Sequence, residues 1–136
     1  MGNVTLYPYI FFTGNCREAM EFYKTIFGGE LTVQTYDKVP GPPQKEMKGK
    51  VMHAGLTGGE IELLASDTQK ASPKAAKVSL SLNGTDQAKL TKIFSQLSEG
   101  VEAEYPLKKE FWGDIFGTVI DKFGVDWMVS ISPEKN

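Results

Sequence analysis

Hydrophobic and polar positions repeat along this chain in two similar passes. Residues 7–12 (YPYIFF) are rich in β-formers and end at Gly14-Asn15. Asn15 is a good helix N-cap, and Glu18 three residues on completes a capping-box pattern. Ala19, Phe22, Tyr23, Ile26 and Phe27 then recur at helical spacing until Gly28-Gly29 stops the run. A shift of 71 residues superposes Tyr9 and Phe11 on Leu80 and Leu82. It also superposes Ala19, Phe22, Tyr23 and Ile26 on Leu90, Ile93, Phe94 and Leu97, and Gly29 on Gly100. The shift predicts that each pair shares a face.

Strands follow each predicted helix. Residues 30–36 alternate, and 51–57 and 60–66 flank Gly58-Gly59 as a hairpin. In the second pass a short strand is expected at 101–105, then a hairpin of 115–121 and 125–131 around Lys122-Phe123-Gly124. The chain is therefore expected to be βαβββ twice. Residues 37–50, rich in Pro, Gly and Lys, are expected to form a long mobile loop, and 67–76 a linker. The expected boundaries are a first module over 5–66 and a second over 77–132, within one domain over 1–136.

Composition narrows the chemistry. The 136 residues are 40% hydrophobic and 24% charged, with a net charge of −2. They include one His (His53), one Cys (Cys16) and one Arg (Arg17). A metal site built of His and Cys cannot form within one chain, nor can an internal disulfide. A pI near 5.4 with interspersed charges argues against a nucleic-acid partner. No segment has the form of a leader or a membrane span, so no membrane association is expected. Sparse cysteine suits a reducing compartment, and a cytoplasmic setting is expected. There is no phosphate-binding G-x-x-x-x-G-K-[ST], no serine elbow, and no Gly-rich strand-to-helix turn of a Rossmann-type methyltransferase.

Tandem βαβββ modules resemble the vicinal-oxygen-chelate superfamily of glyoxalase I, bleomycin-resistance proteins and extradiol dioxygenases. Asn15-Cys16-Arg17-Glu18-Ala19-Met20-Glu21-Phe22-Tyr23 with Phe27-Gly28-Gly29 carries the likeness. Val51-Met52-His53-Ala54, Ser66-Asp67, Phe111-Trp112-Gly113 and the segment Asp121 to Trp127 make it similar to the PhnB-like branch. The resemblance implies an α+β fold: two tandem βαβββ modules forming a cupped, mostly antiparallel mixed sheet with helices on the outer face. It also implies a homodimer. In metal-dependent members four ligands lie on the first and last strand of each module. Those positions are here Pro8, Glu62, Lys77 and Met128, of which only Glu62 is a plausible ligand. No catalytic metal and no cofactor is expected.

Strand alternation then sorts the side chains by face. With Leu80 and Leu82 under the helix, Lys77, Ser79 and Ser81 point into the cup. With Leu63 and Ala65 under the helix, Glu62, Leu64 and Ser66 do the same. His53 falls with Val51, Gly55 and Thr57, and Met128 with Ser130. Such a mixture suits a pocket for a small polar–apolar molecule. The candidate pocket set is His53, Glu62, Ser66, Ser79, Ser81, Phe111, Trp112 and Met128.

Each candidate also has a purely structural reading. His53 is a pocket base or donor, or a sheet histidine satisfied by a neighbour. Glu62 is a cavity acid or a strand residue on a wet face. Phe111 and Trp112 wall the pocket, make a dimer contact, or plug the gap between modules. Asp67 is read as the start of the linker turn. Cys16 sits in the first helical turn, where the dipole lowers a thiol pKa, or is simply a small buried side chain. Three functions stay open: a metal-free small-molecule binder, a metal-dependent lyase, isomerase or dioxygenase, and a protein-interaction module.

Overall fold

A computed structural model describes residues 5–38, 47–69 and 78–133. The strands and helices are β1 (Tyr9–Phe12), α1 (Cys16–Phe27), β2 (Glu30–Thr35), β3 (Val51–Thr57) and β4 (Leu63–Asp67), then β5 (Leu80–Gly84), α2 (Gln87–Leu97), β6 (Tyr105–Lys109), β7 (Ile115–Ile120) and β8 (Asp126–Ile131). A 3₁₀ turn over Tyr36–Lys38 follows β2. The chain divides into two compact units, one up to Ala75 and one from Ala76. Each unit is βαβββ, as the repeat predicts. The first holds a four-stranded sheet in the order β1-β4-β3-β2, and the second one in the order β5-β8-β7-β6. In each, the first and last strands pair in parallel and the remaining pairs are antiparallel. The architecture is thus α+β, with two mixed sheets and two helices.

In the first unit α1 covers one face of the sheet and buries Cys16, Ala19, Met20, Tyr23 and Phe27 against it. Ala54, Leu56, Leu63 and Ala65 meet them from the strands. Phe22 and Ile26, expected at the centre of the stripe, are half-buried at its edge. In the second unit Leu90, Ile93, Phe94 and Leu97 of α2 bury with Val119, Trp127, Val129 and Ile131. That stripe is as predicted. In each sheet the face opposite the helix is left open, and any site must be built there or at the strand ends.

The 71-residue shift fails at β1. Tyr9 and Phe11 do not share the helix-covered face of Leu80 and Leu82. They are 39% and 65% exposed on the open face, while Phe12 is 4% exposed beneath the helix. Three residues join β1 to α1, but only Thr85 and Asp86 join β5 to α2. One extra residue in a period-two strand reverses every side chain. Pro8 therefore falls on the side of Ile10 and Phe12.

Other expectations shift at element ends. The Gly58-Gly59 hairpin has a five-residue loop, so β4 begins at Leu63 and Glu62 lies outside it. The reason is packing against the end of α1. A Cβ at Gly29 would sit 2.5 Å from the Thr57 carbonyl oxygen, and one at Gly59 2.5 Å from that of Gly28. Glu60 N–H donates to the Phe27 carbonyl at 3.0 Å, fastening the loop to the helix terminus. The sixth strand is at Tyr105–Lys109 rather than 101–105. Asn15 makes no side-chain cap bond. Asp86 does cap α2, accepting from Lys89 N–H at 3.1 Å.

Asp67 corrects the expectation of a linker turn. It ends β4 and is 2% exposed. Its Oδ1 accepts from Gly14 N–H at 2.8 Å and Cys16 N–H at 3.0 Å, and its Oδ2 from Val51 N–H at 3.0 Å. One carboxylate thus satisfies the start of α1, which explains the idle Asn15 side chain, and pins the start of β3. Of the expected linker, 70–76 lies outside the described residues, as does 39–46 of the expected mobile loop.

Candidate functional site

The open face of the first sheet gathers Tyr9 and Phe11 from β1, Leu64 and Ser66 from β4, and His53 and Gly55 from β3. Register sets Tyr9 beside Leu64, Phe11 beside Ser66 and His53 beside Gln34. The Tyr9 hydroxyl lies 3.3 Å from His53 Nδ1, and the two rings are 5.9 Å apart. When the hydroxyl donates to Nδ1, the imidazole proton sits on Nε2 and remains available to another acceptor. The Tyr9 and Phe11 rings are 5.0 Å apart. Ser66 is buried at 6% exposure. Glu62 is exposed and does not join this face.

The open face of the second sheet is built from two register rows. One runs Ser81, Met128, Thr118, Tyr105, and the next Asn83, Ser130, Phe116, Lys108. Ser81 and Asn83 hydrogen-bond to each other through their side chains at 3.1 Å. Met128 is half-buried between Ser81 and Thr118. Ser79 is exposed one residue before β5. The β6–β7 turn carries Phe111 and Trp112, 97% and 51% exposed and edge-on to one another at 5.0 Å. Trp112 reaches Phe116 at 6.1 Å, and Tyr105 reaches Phe116 at 6.4 Å.

Of the predicted pocket residues, then, His53 and Ser66 share one face, and Ser81 and Met128 are direct neighbours. Phe111 and Trp112 join a ring cluster. Sequence reasoning missed Tyr9, Phe116 and Tyr105. Tyr9 was hidden by the reversed face of β1. Phe116 was visible as the residue two positions before Thr118 in an alternating strand.

Hollows in the first unit lie elsewhere, where β4 ends against the start of α1. One of 460 Å³ is lined by Asn15, Arg17, Glu18, Glu21, Lys50 and Asp67 among others, and a smaller one of 190 Å³ by Thr13, Met47, Lys50 and Thr68 among others. Neither is lined by His53, Glu62 or Ser66. Lys50 Nζ donates to the Gly14 carbonyl at 3.3 Å beside Asp67. These hollows are wide open and lined by both charge signs.

Cys16 lies under this corner and is fully buried. Burial first, then the Asp67 carboxylate, pushes its thiol up to about 12 from an ordinary 9.0, against a lowering pull from Arg17. The helix dipole does not make it a reactive thiolate.

The metal positions implied by the resemblance fit poorly by their chemistry. Pro8 offers no side-chain donor, Met128 offers a thioether, and Glu62 is exposed outside the strand; Lys77 lies outside the described residues. Among the described residues no three His, Cys, Asp or Glu side chains group as metal ligands.

The family model for 3-demethylubiquinone-9 3-methyltransferase matches residues 4–130. The chain belongs to this family, the PhnB-like one. Protein PA1353 from Pseudomonas aeruginosa is 36% identical and superposes with a TM-score of 0.83, over 97% of this chain and 100% of that one. YjdN from Escherichia coli is 27% identical over 93% of this chain and 94% of its own length. In fold the chain also matches a glyoxalase/bleomycin resistance protein/dioxygenase from Nocardioides, at 17% identity and a TM-score of 0.57 over 100% of this chain and 89% of that one. The family and fold implied by the sequence motifs are thus shown. No helix among the described residues is long and apolar enough to cross a membrane.

Proposed function

We propose that this PhnB-like protein binds a small molecule of mixed polar and apolar character on the open faces of its sheets, without a catalytic metal. One observation carries the reading. The faces away from the helices present hydroxyl, amide, imidazole and thioether groups in register with aromatic rings. A face serving only as core would be largely apolar, as the helix-covered faces of the sheets are with Phe12, Ala54, Leu56, Leu63, Ala65, Val119, Trp127, Val129 and Ile131. The donor chemistry at Pro8, Glu62 and Met128 supports the absence of a metal role. His53 acts as a hydrogen-bonding group, oriented by Tyr9. The homodimer implied by the resemblance and the cytoplasmic setting expected from the sparse cysteine belong to the same proposal.

A thermal-shift screen with neutral aromatics, amines, carboxylates and S-adenosylmethionine tests it. At least one class is expected to raise Tm, with the gain reduced in His53→Ala or Met128→Ala. If no class shifts Tm, binding is refuted. A stoichiometric divalent ion in the purified protein would instead establish the metal-dependent reading. Turnover with S-adenosylmethionine would establish methyl transfer.

A further inference from the structure

We infer that the β6–β7 end of the second sheet recognises an organic cation, a protonated or quaternary amine, through an aromatic cluster edged by two carboxylates. This names the ligand class for one of the open faces and rests on the binding reading above. Glu110 N–H donates to the Asp114 carbonyl at 2.8 Å. That bond continues the antiparallel register in which Lys109 faces Ile115 and Lys108 faces Phe116. Glu110 and Asp114 therefore emerge on the same side of the sheet as Phe116. The Ser130 hydroxyl, on the neighbouring strand, is 3.4 Å from Asp114 Oδ2 on that side. Gly113 N–H closes the turn onto the Glu110 carbonyl at 3.0 Å, with Gly113 at φ +102°, which favours glycine there. The closed turn carries Phe111 and Trp112 beside the two acids.

Two features of this cluster call for a positive ligand. Glu110 Oε2 is shut off from solvent and has no hydrogen-bond partner among the described residues. A buried carboxylate oxygen without a donor is costly, and a cation seated on the neighbouring rings offsets that cost through space. The rings of Phe111, Trp112, Phe116 and Tyr105 present large exposed or half-exposed areas with negative π faces, the surface an ammonium group prefers. Lys108 is the one cation of the same register row, against Glu110 and Asp114, so the local charge is negative. A hard metal ion is disfavoured because aromatic rings supply no oxygen ligands. An anion is disfavoured by both acids.

The experiment uses the full chain, choline as the cation and 3,3-dimethylbutan-1-ol as its neutral isostere. Trp112 is half-exposed and Trp127 only 1% exposed, so their two indole N–H signals report the cluster and the core separately. Choline is expected to shift the Trp112 signal saturably and leave Trp127 in place. The isostere should bind about tenfold more weakly, and Glu110→Gln should weaken choline by a similar factor, with Asp114→Asn as a second variant. An unchanged Trp127 signal in each variant verifies the fold. Equal affinity for choline and the isostere, or full affinity in both variants, overturns the inference. So does a Trp112 signal that responds to protein concentration but not to choline, which would mark a contact between copies. A neutral compound that raises Tm while choline does nothing defeats this inference alone; silence from every compound defeats the binding reading too.

Discussion

Asp67 in the first unit and Asp121 in the second are both buried carboxylates, yet they hold different things. Asp67 binds backbone N–H groups 53, 51 and 16 residues away in sequence. Asp121 takes three bonds from its own hairpin. It accepts from Phe123 N–H at 2.8 Å, Val125 N–H at 3.0 Å and the Trp127 indole at 2.9 Å. The first is a tertiary tie among β4, α1 and β3. The second is a turn that also steadies a core tryptophan. One repeat unit therefore depends on a long-range polar bond for its helix start, while the other caps its helix locally with Asp86.

The largest test of this contrast is Asp67→Ala. It strands three backbone donors, two of them deep in the fold, and is expected to cost roughly 3–5 kcal/mol in urea unfolding. Asp121→Ala should cost less, about 2–3 kcal/mol, because only one of its three donors, the Trp127 indole, is buried and the two turn donors can reach water. Equal costs would break the distinction between long-range and local ties.

The paired glycines sharpen the same comparison. Gly29 has φ +98° and backbone atoms 2.5 Å and 2.8 Å from a new Cβ, while its counterpart Gly100 has φ +78° with nothing within 4 Å. Gly100→Ala should cost only the conformational strain, about 1–2 kcal/mol. Gly29→Ala should add a clash and exceed it by about 1–2 kcal/mol in thermal or urea unfolding.

Cys16 supplies a pH signature confined to the first unit. Below pH 9 the thiol is protonated in both folded and unfolded chains and contributes no slope. Above the unfolded value of 9.0 the unfolded chain loses its proton while the folded chain keeps it up to about 12. Stability should therefore fall in that window, by up to about 1.4 kcal/mol per pH unit. Urea titrations at pH 8 and 10 should show a steeper loss in the native chain than in Cys16→Ala. Parallel losses would mean that the thiol is not held protonated.

The smallest effects concern the helix starts. Asp86→Ala should cost about 1 kcal/mol, and Asn15→Ala less than about 0.5 kcal/mol, since only Asp86 makes a cap bond. A reversal in denaturant unfolding would show that Asn15 carries the cap after all.

Much of this molecule is legible in residue order. Helical spacing of Leu90, Ile93, Phe94 and Leu97, the alternating strands, and the glycines at 28–29 and 100 follow from local geometry and burial. The motifs around Asn15 to Tyr23 and Phe111 to Gly113 were enough for the family. On the site, alternation put His53, Ser66, Ser81 and Met128 on open faces, because the register shift of the β2–β3 pair falls between Gln34 and Thr35, just beyond His53. Glu62 was misplaced because the hairpin loop is lengthened by packing on the end of α1, which no turn dipeptide encodes. Tyr9 was missed because one residue in the β1–α1 connection reverses a strand.

Sequence by itself determined the two βαβββ passes, the helix stripes, the family, and the scarcity of metal-binding side chains. These follow from periodicity and residue chemistry over short spans. Tertiary structure decided that Asp67 replaces Asn15 as the cap of α1, that Cys16 is an inert buried thiol, and that Glu110 and Asp114 share a face with Trp112 and Phe116. Each of these depends on strand register or on contacts across many residues, and a shift of one residue would reverse it.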